Sequence, residues 1–111
     1  MYKIVASPSF KLCLKRLVHF LSMKYSSNLA LETKQKIKRA VLKYLPDNPH
    51  IAPISDRLID LGIKDYRQYL IDEHNIVFYR IDEPNKRVIL LLVMDSRQKI
   101  QKLLSDIILL S

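Results

Sequence analysis

The sequence predicts an α+β protein of element order β-α-α-β-β-β-α: an antiparallel four-stranded sheet with an N-terminal helical hairpin on one face, followed by a C-terminal helix. Three observations predict it. Residues 65–94 read as strand, turn, strand, turn, strand. Residues 10–45 carry two stretches of helical period, and the short Ser26-Ser27-Asn28 link between them argues for an antiparallel hairpin. A last apolar stripe, Ile100, Leu103, Leu104 and Ile107, follows the third of those strands at helical spacing.

Taken in order, residues 2–6 alternate and are rich in β-formers, which suggests a short strand at the edge of the sheet. Ser7 then offers an N-cap and Pro8 a first helical position, with Ser9 as the rival cap. Across 10–24, Phe10, Leu14, Leu17, Val18 and Leu21 make one apolar face, which Cys13 and Phe20 widen. The second helix, 29–45, has Thr33, Ile37, Ala40, Val41 and Tyr44 as its inner stripe and a basic outer face of Lys34, Lys36, Lys38, Arg39 and Lys43. Residues 46–53 contain three prolines and form a loop. Residues 54–61 fit either one or two helical turns or an irregular loop, stopped by Gly62, the only glycine, in a left-handed conformation.

The strands follow. Residues 65–71 place Tyr66, Gln68 and Leu70 on one face and Arg67, Tyr69 and Ile71 on the other. Residues 72–74 turn. In 75–82, Val77, Tyr79 and Ile81 share a face, opposite Ile76, Phe78 and Arg80. Residues 83–86 form a tight turn that keeps Pro84 out of the ladder. Residues 87–94 are apolar throughout except for Arg87, as expected of a central strand covered on both faces. Asp95 and Ser96 are expected to cap the last helix, with Arg97 in its first turn.

With 111 residues the chain has the length of one domain, 1–111, and buries enough surface to hold a core without disulfides. Its 49 % apolar and 27 % charged residues are a globular composition. A lone Cys13 inside a helical pattern reads as a buried structural thiol in a reducing compartment. Lys3, Pro8, Lys11, Lys15 and Arg16 interrupt any apolar leader, and the longest apolar run, 88–94, is too short to span a bilayer. A cytoplasmic location with no membrane partner is the expectation. Nineteen Lys and Arg against 11 Asp and Glu give a formal charge of +8, which suits a polyanionic partner and equally a solvated lysine surface.

Few residues offer chemistry. His19, His50 and His74 fall in a helix, a loop and a turn without a second ligand at metal spacing, so no metal or cofactor is expected. A single glycine leaves no phosphate-cradling loop. The acid pairs Asp72/Glu73 and Asp82/Glu83 lie in hairpin turns and read as solvated. Basic residues remain: Lys64 and Arg67, Arg80, and Ser96 with Arg97, where a helix N-terminus would add N–H donors for an anion. Arg67 and Arg80 are equally well read as ordinary exposed strand residues.

At these residues the chain resembles the RelE/ParE superfamily, the toxins of type II toxin–antitoxin modules. The likeness covers the element order of the whole chain. It is most specific in Tyr79-Arg80-Ile81 at the end of a hydrophobic strand, a short turn, an apolar strand, and then Asp95-Ser96-Arg97 leading into a helix. Asp95 stands where His is frequent in the family. The resemblance implies an antitoxin partner, an extended and often acidic chain that wraps the toxin. It also implies one of two activities. RelE-type members are ribosome-dependent nucleases that cut mRNA with basic residues on the concave sheet face, often helped by a C-terminal Tyr or a His–Asp pair. ParE-type members share the fold, lack that catalytic set, and are associated with inhibition of DNA gyrase. The position of an essential RelE arginine, three before the strand Tyr, is Ile76 here, and no Tyr or His follows Arg97. RNA cleavage needs groups that take and give a proton. The resemblance therefore runs closer to ParE, a toxin that binds rather than cuts, with no catalytic residue assigned. Lys64, Arg67, Arg80, Ser96 and Arg97 are the target-binding candidates. The alternative is a RelE-type enzyme acting on ribosome and mRNA, with Lys64, Arg67 and Arg80 compensating. A basic binding module outside toxin biology is a third reading; it predicts no growth arrest on expression.

Overall fold

A computed structural model describes residues 1–110. Its elements are β1 (Lys3–Ala6), α1 (Pro8–Lys24), α2 (Ser27–Tyr44), α3 (Asp56–Asp60), β2 (Arg67–Leu70), β3 (Asn75–Asp82), β4 (Arg87–Asp95) and α4 (Ile100–Leu110). Ser7 caps α1, its hydroxyl accepting from the Phe10 N–H, with Pro8 at the first helical position. Ser9, the rival cap, lies inside the helix and does something else, described below. Ser26 caps α2 by accepting from the Leu29 N–H, so α2 starts two residues earlier than the sequence pattern suggested. Ala30, Thr33, Ile37 and Val41 form its buried stripe. Tyr44, expected on that stripe, is 45 % exposed; Leu45, one turn after Val41, is buried in its stead.

The sheet order is β1-β4-β3-β2, with β4 central as expected. β2, β3 and β4 form the antiparallel meander. β1 departs from the wholly antiparallel expectation: it pairs parallel with β4, from Lys3 opposite Arg87 to Ala6 opposite Leu90, so the sheet is mixed. Parallel neighbours require a long crossover, and the helical hairpin supplies its first part.

Register explains how β4 is covered on both faces. Phe78 pairs with Leu92 but Tyr79 pairs with Leu90, leaving Leu91 as the extra residue of a β-bulge. Side chains of β4 change sides at that point. Val88 and Leu90 share the face of Ile81 and Tyr79, whereas Leu92 and Met94 share the face of Phe78 and Ile76. All four of these β4 residues are buried. The bulge frees the Leu91 carbonyl from the ladder, and the Ser9 hydroxyl donates to it at 2.9 Å. α1 packs on β4 from the first face and α2 packs on α1. Leu58 of α3 and Leu103 and Ile107 of α4 complete the continuous core.

The two sheet edges differ. The 65–71 strand shrinks to the four residues of β2, and Asp65, at φ 69°, lies outside the extended region. The outer edge of β2 is occupied: the Gln68 N–H donates to Pro53 O at 2.9 Å and the Ser55 N–H to Tyr66 O at 2.8 Å. α3 follows at once and stops where Gly62 turns left-handed at φ +82°. On β1, by contrast, the outer side is met among the described residues only at its start, where the Tyr2 N–H reaches Pro46 O. Open strand edges of this kind are templates for a further strand.

Candidate functional site

The sequence candidates do not converge on one surface. Arg67 lies opposite Tyr79, on the face that α1 covers, and its guanidinium donates to Ala52 O at 2.6 Å. This bond ties the 46–55 loop to β2. Arg80 lies on the opposite face, paired in register with Ile89, and Lys64 is exposed before β2. Among the described residues neither makes an ion pair. Arg80 is five residues along β3 from Asn75, which pairs with Asp95. At about 3.3 Å per residue it sits roughly 16 Å from the end of the sheet that carries Ser96 and Arg97.

That end differs from expectation in a second way. α4 begins at Ile100, so Arg97 is not in its first turn and Ser96 is not its cap. Asp95 closes a turn of its own: its carboxylate accepts from the Arg97 N–H at 2.8 Å, its carbonyl from the Gln98 N–H at 2.9 Å, and its N–H donates to Gln98 Oε1 at 2.9 Å. With both carboxylate oxygens bonded to the backbone and guanidinium of Arg97, Asp95 has no free oxygen for helix donors. Ser96 is exposed, and its N–H donates to His74 O at 2.5 Å. The anion site expected at a helix N-terminus does not form at Ser96 and Arg97.

What forms is a polar cluster where four segments meet: the end of α1, α2, the β2–β3 turn and the end of β4. Arg97 reaches both oxygens of Asp95, Nε to Oδ1 at 2.6 Å and Nη2 to Oδ2 at 2.5 Å. Asp95 is 1 % exposed, so this is a planar two-point pair with one partner fully buried. Arg97 also donates to the Tyr25 hydroxyl, and its guanidinium carbon lies 4.7 Å from the Tyr25 ring centroid. Burial alone would raise the Asp95 pKa, but the Arg97 hydrogen bonds outweigh it and hold the carboxyl below its usual value. The same pair raises Arg97 above its ordinary value.

Asp72, read from sequence as a solvated turn acid, is a second hub. Its carboxylate accepts from the N–H groups of His74 and Asn75, both at 2.9 Å, from the Asn75 side chain, and from Lys36 Nζ at 2.8 Å. Burial pushes its pKa up; the Lys36 ammonium and the three amide donors pull it down further, well below the carboxylate range. Asn75 spends its amide N–H groups on Asp72, and its Oδ1 is buried without a donor among the described residues. A cavity of about 260 Å³ opens beside this atom, lined by Thr33, Lys36, Asp72, His74, Asn75, Asp95 and Arg97 among others.

Of the five sequence candidates, this site therefore contains Arg97 alone. Lys36, Asp72, His74, Asn75 and Tyr25 were missed. Chain order hides them, since Tyr25 and Arg97 are 72 residues apart and Lys36 and Asp72 are 36 apart. The Asp72-x-x-Asn75 spacing in a hairpin turn was the one local signal, because an Asx side chain there closes on the backbone ahead of it. The arrangement pairs Lys36 with Asp72 and Arg97 with Asp95. It also brings a histidine and a phenol to the arginine, groups whose absence from the tail had counted against catalysis. Among the described residues no three His, Cys, Asp or Glu side chains are grouped to hold a metal ion, and no helix is long and apolar enough to cross a membrane.

No family model matches the chain, and no curated protein matches it. Solved structures do. A chain of the toxin–antitoxin complex RelBE2 from Mycobacterium tuberculosis superposes with a TM-score of 0.64 at 14 % identity, covering 85 % of this chain and 96 % of that one. A chain of the chromosomal ParDE system from P. aeruginosa gives 0.66 at 13 %, covering 86 % and 96 %. The metal-bound toxin from Helicobacter pylori gives 0.56 at 22 %, covering 86 % and 94 %. At such identities the likeness is one of fold, and it covers almost the whole of each relative: the chain has the RelE/ParE-type toxin fold.

Proposed function

We propose that this protein is the toxin of a type II toxin–antitoxin module, neutralised by a cognate antitoxin, and that it acts by docking on a large target, DNA gyrase. One observation carries the docking reading. Arg97, the retained arginine, is committed on three of its nitrogens to a buried carboxylate and a phenol. It is thus a rigid, presented group with little freedom to follow a moving charge. Ile76, at the position of an essential arginine in cleaving relatives, is 3 % exposed in the core. Plasmid supercoiling by gyrase tests this: inhibition at stoichiometric toxin is expected, and unaffected gyrase at large excess would refute it.

A second reading, ribosome-dependent mRNA cleavage, is favoured by His74 and Tyr25 beside Arg97, since these can exchange protons. It predicts cut transcripts in a translation extract, lost in Arg97→Ala and His74→Ala. Intact transcripts reject it.

The antitoxin reading has its own support on a separate surface. Beside the open β1 edge a slot of about 260 Å³ is floored by Ile4, Phe10, Leu14, Val41 and Leu42 and rimmed by Lys34 and Lys38. An extended acidic segment can add a strand to β1 and seat apolar side chains in the slot. The lysine rim speeds its arrival.

A further inference from the structure

A separate concavity lies between α1 and α4, with a volume of about 790 Å³. Five cations line it, Lys15, Arg16 and Lys24 from α1 and Lys99 and Lys102 from the α4 side, against one carboxylate, Asp106. Asp106 is already engaged by Arg16 at 2.8 Å and Lys102 at 4.0 Å. The groove therefore presents positive charge on both walls with no free acid between them among the described residues. Its floor is aromatic: Phe20 lies within it, with Lys24 Nζ 5.4 Å from the ring centroid. Next to its mouth, where Lys24 runs into Tyr25 and Gln98 into Arg97, stands the stacked Tyr25–Arg97 pair, with Tyr25 44 % exposed.

We propose that this groove binds a single-stranded polynucleotide, through its phosphates on the two lysine walls and one base on the Tyr25–Arg97 platform. Cationic walls alone would also suit an acidic peptide. The platform decides for nucleic acid: an exposed aromatic ring backed by a guanidinium offers a π-face to a base, and every base has one. Phosphates and a base π-face are common to RNA and DNA, so strands of one sequence are expected to bind alike. The inference shares the Tyr25–Arg97 pair with the site proposed above, but it is measured by direct binding rather than by gyrase or translation, so the two readings fail separately.

Fluorescence anisotropy with a labelled 12-nucleotide strand, as RNA and as DNA, tests it on the full chain. Both strands are expected to bind within about threefold of each other, with affinity falling as salt rises at a slope of roughly 0.7 per phosphate contacted. Lys15→Ala/Lys99→Ala/Lys102→Ala should weaken binding at least about tenfold and flatten that slope. Arg39→Ala/Lys43→Ala/Arg57→Ala removes equal charge from exposed positions outside the groove and should weaken it less than about threefold. Tyr25→Ala should weaken strand binding about tenfold and leave duplex binding unchanged. Thermal unfolding of each variant confirms that it is folded. Equal losses from the two triple variants, a duplex bound as tightly as the strand, or displacement by an acidic peptide at equal charge concentration would each overturn the proposal.

Discussion

Asp72 and Asp95 each turn burial into affinity for a cation, and the sign of that coupling sets a pH dependence. Both carboxyls have folded pKa values below their unfolded ones. Between the two values the unfolded chain binds more protons, so the stabilisation is complete above about pH 4, the unfolded carboxylate value, and is lost as pH falls further. The unfolding temperature should therefore drop between pH 5 and pH 3 more steeply for the wild-type chain than for Asp72→Asn, measured by circular dichroism. Equal slopes would deny Asp72 its role. Cys13 illustrates the opposite case. It is 1 % exposed, and burial pushes its thiol up to about 11, against a smaller downward pull from a Val93 backbone hydrogen bond. Thiolate is the reactive form, so native protein at pH 8 should resist alkylation by iodoacetamide for hours. Rapid labelling without denaturant would contradict this burial.

Individual elements were legible wherever one physical signal dominated. Ser7-Pro8 marks the start of α1, period-2 alternation gives the two faces of β3, and Gly62 marks a left-handed stop. The bulge was not legible, because β4 is apolar at nearly every position and pattern cannot reveal a change of face in a strand buried on both sides. Its signature is instead in α1, where Ser9 satisfies the released Leu91 carbonyl. Ser9→Ala leaves that carbonyl without its donor. The expected cost is about 1 kcal/mol, which for a domain of this size corresponds to a fall in unfolding temperature of roughly 4–8 °C. Replacing the exposed neighbour Lys11 by alanine should change it little. An unchanged transition in Ser9→Ala would mean that the bulge does not depend on this bond. The start of α4 was misread for a related reason: Asp95 can cap a helix or close its own turn, and the choice is settled by Arg97 and Gln98.

At the scale of the molecule, the charge of +8 suggested a polyanionic partner, and the folded chain divides that charge into distinct surfaces. Lys34 and Lys38 rim the apolar slot beside β1, whereas Lys15, Lys99 and Lys102 line the α1–α4 groove. Chain order could not show this division, since it depends on which helix faces the tertiary fold turns toward each other. On the toxin–antitoxin function proposed above, this division separates toxicity from its neutralisation. Leu42 is 51 % exposed and lines the slot, so a charge placed there is solvated in the free protein and should shift the unfolding temperature by less than about 2 °C. In the complex the same charge would face the apolar anchors of an antitoxin. Leu42→Asp should therefore weaken capture by the protein encoded beside its gene by at least about tenfold, roughly 1.4 kcal/mol. The variant should still arrest growth when expressed alone, because the slot shares no lining residue with the cavity at Arg97. Co-expression of the neighbouring protein should then rescue cells carrying the wild-type toxin and fail to rescue those carrying the variant. Rescue of both would remove the slot from the antitoxin interface, and loss of arrest by the variant alone would place the slot in the toxic surface instead.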